Sequence, residues 1–109
     1  MAGAKLIVMY PYPKDLDAFE RAYGNEHIPK AAPIFKAAGA SKAVLTRINP
    51  SPAGPVPFHR IVEIHFPSLA VAQACAASKK GQEALAHAQL ISSGGAPVVL
   101  IAEEEVVTL

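Results

Sequence analysis

The chain is poor in cysteine, tryptophan and charge, and each shortage removes a class of function. A single cysteine, Cys75, in 109 residues rules out an intrachain disulfide and any Cys-x-x-Cys metal site. Set in an alanine-rich stretch, it reads as a small buried apolar residue. Charged residues make up 17% and the net charge is +1, against about 25% charged in an average soluble domain. Beyond Lys79-Lys80 there is no basic cluster, so the electrostatic footprint of a nucleic-acid or anionic-membrane binder is missing. No apolar run approaches the ~20 residues of a membrane span. The first ten residues hold a short apolar stretch ahead of Pro11 and Pro13, unlike a signal peptide. These absences predict a soluble, cytoplasmic protein without nucleic-acid or membrane partners. No G-x-S-x-G, P-loop, H-E-x-x-H or dinucleotide fingerprint is present.

What the chain has in excess is apolar surface. Apolar residues make up 51%, 21 of them alanine. A single domain of this size, taken as residues 1–109, buries only roughly 60–70% of the surface its unfolded chain exposes. The surplus predicts a large oligomer interface.

The hydrophobic pattern divides into six main elements. Lys5–Tyr10 is a short apolar run that reads as a central strand. Asp15 is an N-cap candidate for a helix carrying Leu16, Phe19 and Tyr23. Pro29 is expected to end or kink that helix, with a second segment over Lys30–Ala38 and a C-terminal cap at Gly39. Lys42–Asn49 reads as a second strand. Pro50–Pro57, with four prolines and one glycine, is a stiff loop. Phe58–Phe66 alternates with period two and is the clearest strand. Ser68 caps a helix over Leu69–Ala77, followed over Lys79–Gln89 by its continuation or by a second short helix after a bend at Ser78, and Pro97–Val107 closes the chain as a fourth strand. The order βαββαβ predicts an α+β, ferredoxin-like domain: a four-stranded antiparallel sheet with the helices on one face. The other face is left bare.

Strand parity assigns side chains to those faces. Phe58, Arg60, Val62, Ile64 and Phe66 are predicted to point toward the helices, and His59, Ile61, Glu63 and His65 away from them. A bare face mixing an isoleucine with three ionisable groups suits the wall of a cavity shared by two sheets. His59 and His65 lie roughly 20 Å apart along a strand, too far for one ion, and no metal site is assigned. Glu63 and His65 form a candidate acid–base pair, with a plain polar interface as the competing interpretation. Tyr23 and His27, four residues apart, share a helix face just before Pro29. His27 either turns toward a cavity mouth or caps freed carbonyls. His87, in an alanine-rich helix, reads as a surface residue.

Several of these residues also form a recognisable series. Leu6-Ile7-Val8-Met9-Tyr10 followed by Pro13, Asp15 and Phe19, the Tyr23-x-x-x-His27-x-Pro29 pattern, the Phe58–Leu69 stretch with Glu63, Phe66 and Ser68, then Ser78, Gly81-Gln82 and Gly94-Gly95, together resemble the EthD family, named for ethyl tert-butyl ether degradation. The resemblance spans nearly the whole chain. It implies a homodimeric α/β barrel in which two ferredoxin-like subunits pack sheet on sheet and pockets lie beside each sheet. Tyr23, His27, Pro29 and Glu63 match the family pattern, whereas Lys30 departs from the apolar residue often found there.

The expected function is binding of a small, largely apolar organic metabolite, as an accessory protein in the degradation or metabolism of organic compounds. The alternative is a cofactor-independent enzyme of monooxygenase, cyclase or isomerase type. Its catalytic residues would be His27, Glu63 and His65, with Tyr10, Tyr23, His59 and Ile61 binding the ligand and no cofactor.

Overall fold

A computed structural model describes residues 3–109. Strand β1 spans Ala4–Pro11 and is followed by helix α1, Leu16–Ala22. A five-residue π-helical turn, Tyr23–His27, leads into α2, Ile28–Ala37. Then come β2 (Lys42–Arg47), β3 (Phe58–Phe66), α3 (Leu69–Ala77), α4 (Lys79–Ile91) and β4 (Val98–Glu103). The four strands form one antiparallel sheet in the order β2-β3-β1-β4, which is the predicted ferredoxin-like arrangement.

The local signals explain the element ends. The Asp15 carboxylate accepts from the Ala18 N–H at 3.0 Å, and the Ser68 hydroxyl from Val71 N–H at 3.3 Å, satisfying amides that have no partner within their helices. Ser78 ends α3 in an extended conformation and caps α4 through Gly81 N–H at 3.0 Å, so Leu69–Ile91 is two helices, the second of the two readings of the sequence. Gly39 sits just past α2 at φ +103°, a left-handed position that glycine takes without steric cost.

Pro29 marks the start of the second segment, as expected, without an abrupt stop. Instead of breaking the helix, it occupies the first turn of α2, where a missing N–H costs nothing. The preceding turn absorbs the mismatch by widening: Ile28 N–H donates to the Tyr23 carbonyl, five residues back.

The core lies between one sheet face and the helices. Ala4, Leu6, Val8 and Tyr10 of β1, with Val62, Ile64 and Phe66 of β3, pack against Phe19, Tyr23, Ala72, Cys75 and Ala88. The opposite face carries Ile7, Met9, Val44, Ile61, Val98 and Leu100 by register and alternation, with no helix over it. Val44, Val98 and Leu100 are 38–46% exposed.

Parity fails at one point on β3. Tyr10 pairs with Arg60 but Pro11 pairs with Phe58, so His59 is an extra residue opposite β1, a β-bulge. The bulge turns His59 toward α1, where its ring meets Phe19 edge-on at 5.7 Å and the side chain is 2% exposed. The expectation that His59 shares the bare face with Glu63 and His65 is therefore corrected. A two-residue period assumes an unbroken ladder, and the bulge breaks it.

Candidate functional site

The predicted site residues fall into three separate places. The first is a partly open cavity of about 60 Å³ between the sheet and the helices. Its walls are almost wholly apolar: Val8, Val62 and Ile64 from the sheet, Ala31 and Phe35 from α2, and Ala84 and Leu85 from α4. Tyr10, Tyr23 and His27 supply its polar groups.

The local backbone explains why those three meet. Tyr10 is the last core-facing residue of β1 before the bulge. The π turn brings Tyr23 and His27 onto one face, their rings near-parallel at 19° with centroids 6.2 Å apart. The Tyr10 ring stands edge-on to both, 5.6 Å from Tyr23 and 6.4 Å from His27. Such edge-on contacts are favourable for aromatic rings.

The electrostatics of the cavity are those of a neutral site. Burial pushes the Tyr10 phenol well above its usual range, with Tyr23 adding to the effect. Burial also pushes Tyr23 up to about 12. His27 is 8% exposed. Burial first, and then the charge of His87, bring it down to about 4. At neutral pH the cavity thus holds two protonated phenols and an uncharged imidazole. Among the described residues neither phenol hydroxyl has a hydrogen-bond partner. A buried unpaired hydroxyl costs roughly 1–3 kcal/mol, so these two are the most conspicuous unmet groups in the core.

His87 completes this group, and the surface position expected for it is corrected. It reaches from α4 to His27, with Nδ1 atoms 2.9 Å apart and rings within 3° of coplanar. A signal existed in the sequence: His87 falls on the same helical stripe as Ala84, Ala88 and Ile91. Its partner lies 60 residues away, so spacing alone does not reveal the pair.

The second place is beside the cavity. Arg60 makes a two-pronged contact with Glu20, Nη2 to Oε1 at 2.7 Å and Nε to Oε2 at 3.2 Å. His59 Nε2 lies 3.4 Å from Glu20 Oε2. That is close enough for attraction, but not a well-formed hydrogen bond, since the same nitrogen has no bonded partner. Hydrogen bonding from Arg60 is the main reason the Glu20 carboxyl is held below its usual range. The Arg60 guanidinium also lies over the Tyr23 ring, 5.2 Å from its centre.

The third place is the helix-free face. Glu63 binds Lys5 at 2.6 Å, and Lys5 also reaches Glu104 at 3.1 Å. His65 Nδ1 is 3.8 Å from Glu104 Oε1. Glu63 is therefore a partner of Lys5 rather than of His65. Both lie across the sheet from His27, so the three predicted catalytic residues do not converge within one chain. Ile61 lies on this face too, opposite Met9 and Thr46. Among the described residues, no three His, Cys, Asp or Glu side chains converge on a metal-holding geometry. No helix among them is long and apolar enough to cross a membrane.

The sequence profile of the EthD domain matches residues 12–89. The chain belongs to the EthD family. An uncharacterized 11.0 kDa protein of Rhodococcus erythropolis, from the thcB-thcC intergenic region, is 30% identical over 104 residues, covering 94% of this EthD chain and 96% of its own. An EthD family protein from Bacillus halodurans superposes with a TM-score of 0.82 at 28% identity, covering 94% of this chain and 99% of the other. A dimeric ferredoxin-like protein of unknown function from Jannaschia superposes with a TM-score of 0.67 at 16% identity, over 95% of this chain and all of that one, and so shares the fold.

Proposed function

We propose that this EthD protein binds a small, largely apolar organic molecule in the cavity between its sheet and helices. It works as a cytoplasmic homodimer and as an accessory protein in the metabolism or degradation of such compounds. The observation that carries this reading is the pair of buried phenol hydroxyls, Tyr10 and Tyr23, without partners on the wall of an apolar cavity. An apolar pocket with a few convergent polar groups is the usual form of a small-molecule site. Both phenols hold their protons strongly, so each offers a donor. The matching ligand has an apolar body and a hydrogen-bond-accepting oxygen; a phenolic or aromatic ketone is larger than the enclosed volume of about 60 Å³ and would extend through the cavity's open side. Dimerisation is supported by the apolar face without helices and by the Jannaschia relative, which is described as dimeric.

A second reading draws on one observation: an uncharged imidazole stands beside the same two donors. That arrangement leaves a ring lone pair free at neutral pH to take a proton from beside a carbonyl without a cofactor, with His27 as base, and its value of about 4 makes it a weak one on its own. Glu63 and His65 would take part in such chemistry from the opposite sheet face only through the dimer.

The test is a panel of phenolic and aromatic ketones followed by thermal shift and titration calorimetry, with Tyr10→Phe and Tyr23→Phe. Removing an unpaired hydroxyl should leave the free protein as stable or slightly more so, and weaken binding by roughly 5- to 150-fold, corresponding to about 1–3 kcal/mol. Equal affinity in both variants and the parent would overturn the assignment.

A further inference from the structure

The contact between His27 and His87 constrains the chemistry of both rings. Their Nδ1 atoms face each other at 2.9 Å in nearly coplanar rings. Two N–H groups at that distance would repel, and two bare lone pairs would as well. One hydrogen must therefore lie between them. Which ring carries it decides the other end of His27. With the hydrogen on His27 Nδ1, its Nε2 is a lone pair and can accept a proton. With the hydrogen on His87 Nδ1, His27 Nε2 becomes a donor.

The two rings also sit at different depths. His27 is buried on the cavity wall and His87 is half-buried on α4. A positive charge is poorly tolerated on the first, and is better solvated on the second. The surroundings are otherwise quiet. Tyr10 from β1 and Tyr23 from the π turn are the titratable groups facing His27. Beyond Tyr23, Arg60 is balanced by Glu20. Ala43 and Leu45 from β2 and Ala31 from α2 bring no charge. Glu26 and Lys30, on either side of His27 in the chain, are exposed. On α4, Glu83, one turn before His87, lies 3.5 Å from Lys80.

We propose that His27 and His87 form a two-imidazole proton relay between the cavity and solvent, and that the ligand is one with a removable proton beside a carbonyl or phenolic oxygen. The proposal rests on the cavity being the ligand site. In the forward direction, the ligand's C–H or O–H bond breaks as an N–H bond forms at His27 Nε2. The hydrogen on His27 Nδ1 passes to His87 Nδ1, and the hydrogen on His87 Nε2 leaves to water. The electron pair stays on the ligand as an enolate or phenolate, whose oxygen the Tyr10 and Tyr23 hydroxyls stabilise as donors. Nothing is oxidised or reduced, and the reverse sequence returns the proton. His87 never touches the ligand. It is a positioning residue that sets the tautomer of His27 and removes its proton.

The test uses full-length protein with ¹⁵N-labelled histidine. Imidazole spectra of the parent, His87→Gln and His87→Ala should show a single His27 tautomer in the parent, with a titration that moves in both variants while circular dichroism stays unchanged. A phenolic ketone, 4-hydroxyphenylacetone, is then added in deuterated buffer and its α-hydrogen exchange followed by proton NMR. His87→Gln should slow protein-dependent exchange by at least about tenfold without loss of ketone affinity. Identical His27 spectra and titration in all three proteins would overturn the pair. Altered His27 spectra with an unchanged exchange rate would overturn the relay. Failure of the parent to bind the ketone, with the His27 spectra still dependent on His87, would sink the ligand assignment and the cavity reading while leaving the pair itself intact.

Discussion

His59 and Arg60 are neighbours in β3, yet both side chains turn to the same face of the sheet and approach the same carboxylate, Glu20. In a regular strand they would point to opposite sides. The bulge at His59 makes the shared face possible, and the shared face ties α1 to the sheet. The tie reaches the cavity, because Arg60 also lies over the ring of Tyr23.

Arg60→Ala should therefore do more than remove a surface charge. The Arg60 and Glu20 side chains are 18% and 25% exposed, and their contact is two-pronged. Hydrogen bonds to charged groups contribute about 1.5–3 kcal/mol, so chemical denaturation should report a loss of about 2 kcal/mol. Arg60→Lys should recover less than half of it, since an ammonium cannot reproduce the planar fork. A lysine variant as stable as the parent would show that only charge matters there.

Acid should weaken the fold in two separable windows. His27 titrates near 6.5 when unfolded and is lowered to about 4 in the folded protein, chiefly by burial. Across that window the unfolded chain binds a proton that the folded chain does not. Stability conferred by the neutral ring is present in full above about 6.5 and is lost as pH falls toward 4, to the extent of about 3 kcal/mol. Glu20 is also depressed, mainly by its hydrogen bonds from Arg60, so its contribution is present above 4.5 and is lost as pH falls below that through its lower folded value. Urea midpoints measured from pH 7 to pH 3 should fall in both windows. His27→Gln should flatten the upper one and Glu20→Gln the lower. A single transition unaffected by either substitution would contradict both assignments.

What the sequence made legible follows from what its signals encode. Caps and prolines act locally, and the Asp15 and Ser68 caps and the Leu69–Ala77 and Phe58–Phe66 limits were all readable. The family pattern and the four-residue spacing picked out Tyr23 and His27, which do line one cavity. Three features were not readable for physical reasons. The bulge leaves no compositional mark in β3, so His59 was placed on the wrong face. The π turn is a response to Pro29 that widens the helix instead of ending it. The His27–His87 contact joins residues 60 apart, and only the packing of α4 against the turn creates it. The Lys5–Glu63 contact, 58 residues apart, was hidden for the same reason.

The corner between α3 and α4 is a tight constraint on sequence. A Cβ on Gly81 would lie 1.9 Å from the Cys75 carbonyl oxygen and 2.9 Å from its carbon, both backbone atoms that cannot rotate away. Ser78 Oγ, which also bonds the Cys75 carbonyl at 2.7 Å, would stand 3.0 Å from it. Gly81→Ala should force the two helices apart and cost roughly 1–3 kcal/mol, the range for overpacking a filled site. Its midpoint in guanidinium should drop accordingly, while Gly24→Ala, where a Cβ meets nothing within 4 Å, should be neutral or stabilising. Equal midpoints would mean that the corner yields more readily than its geometry suggests.

The helix-free sheet face supplies the test of assembly. Leu100 on β4 stands opposite Ile7 on β1, and Val44 on β2 and Ile7 both flank Glu63. This is an apolar surface interrupted by Glu63, which with Lys5 and Glu104 forms a small charged group. Left in water, such a face would be an aggregation hazard; covered by a second copy, it becomes an interface core. Leu100→Glu buries an unpaired carboxylate in that interface without touching the cavity, since Leu100 and the cavity lie on opposite faces. Sedimentation velocity should show the parent as a dimer and Leu100→Glu shifted to monomer, with ketone binding by the monomer retained. Leu90→Glu is the control: Leu90 is 79% exposed on α4, away from the sheet, and its substitution should leave the dimer intact. A parent that sediments as a monomer, or a Leu100→Glu dimer as tight as the parent's, would place the interface elsewhere.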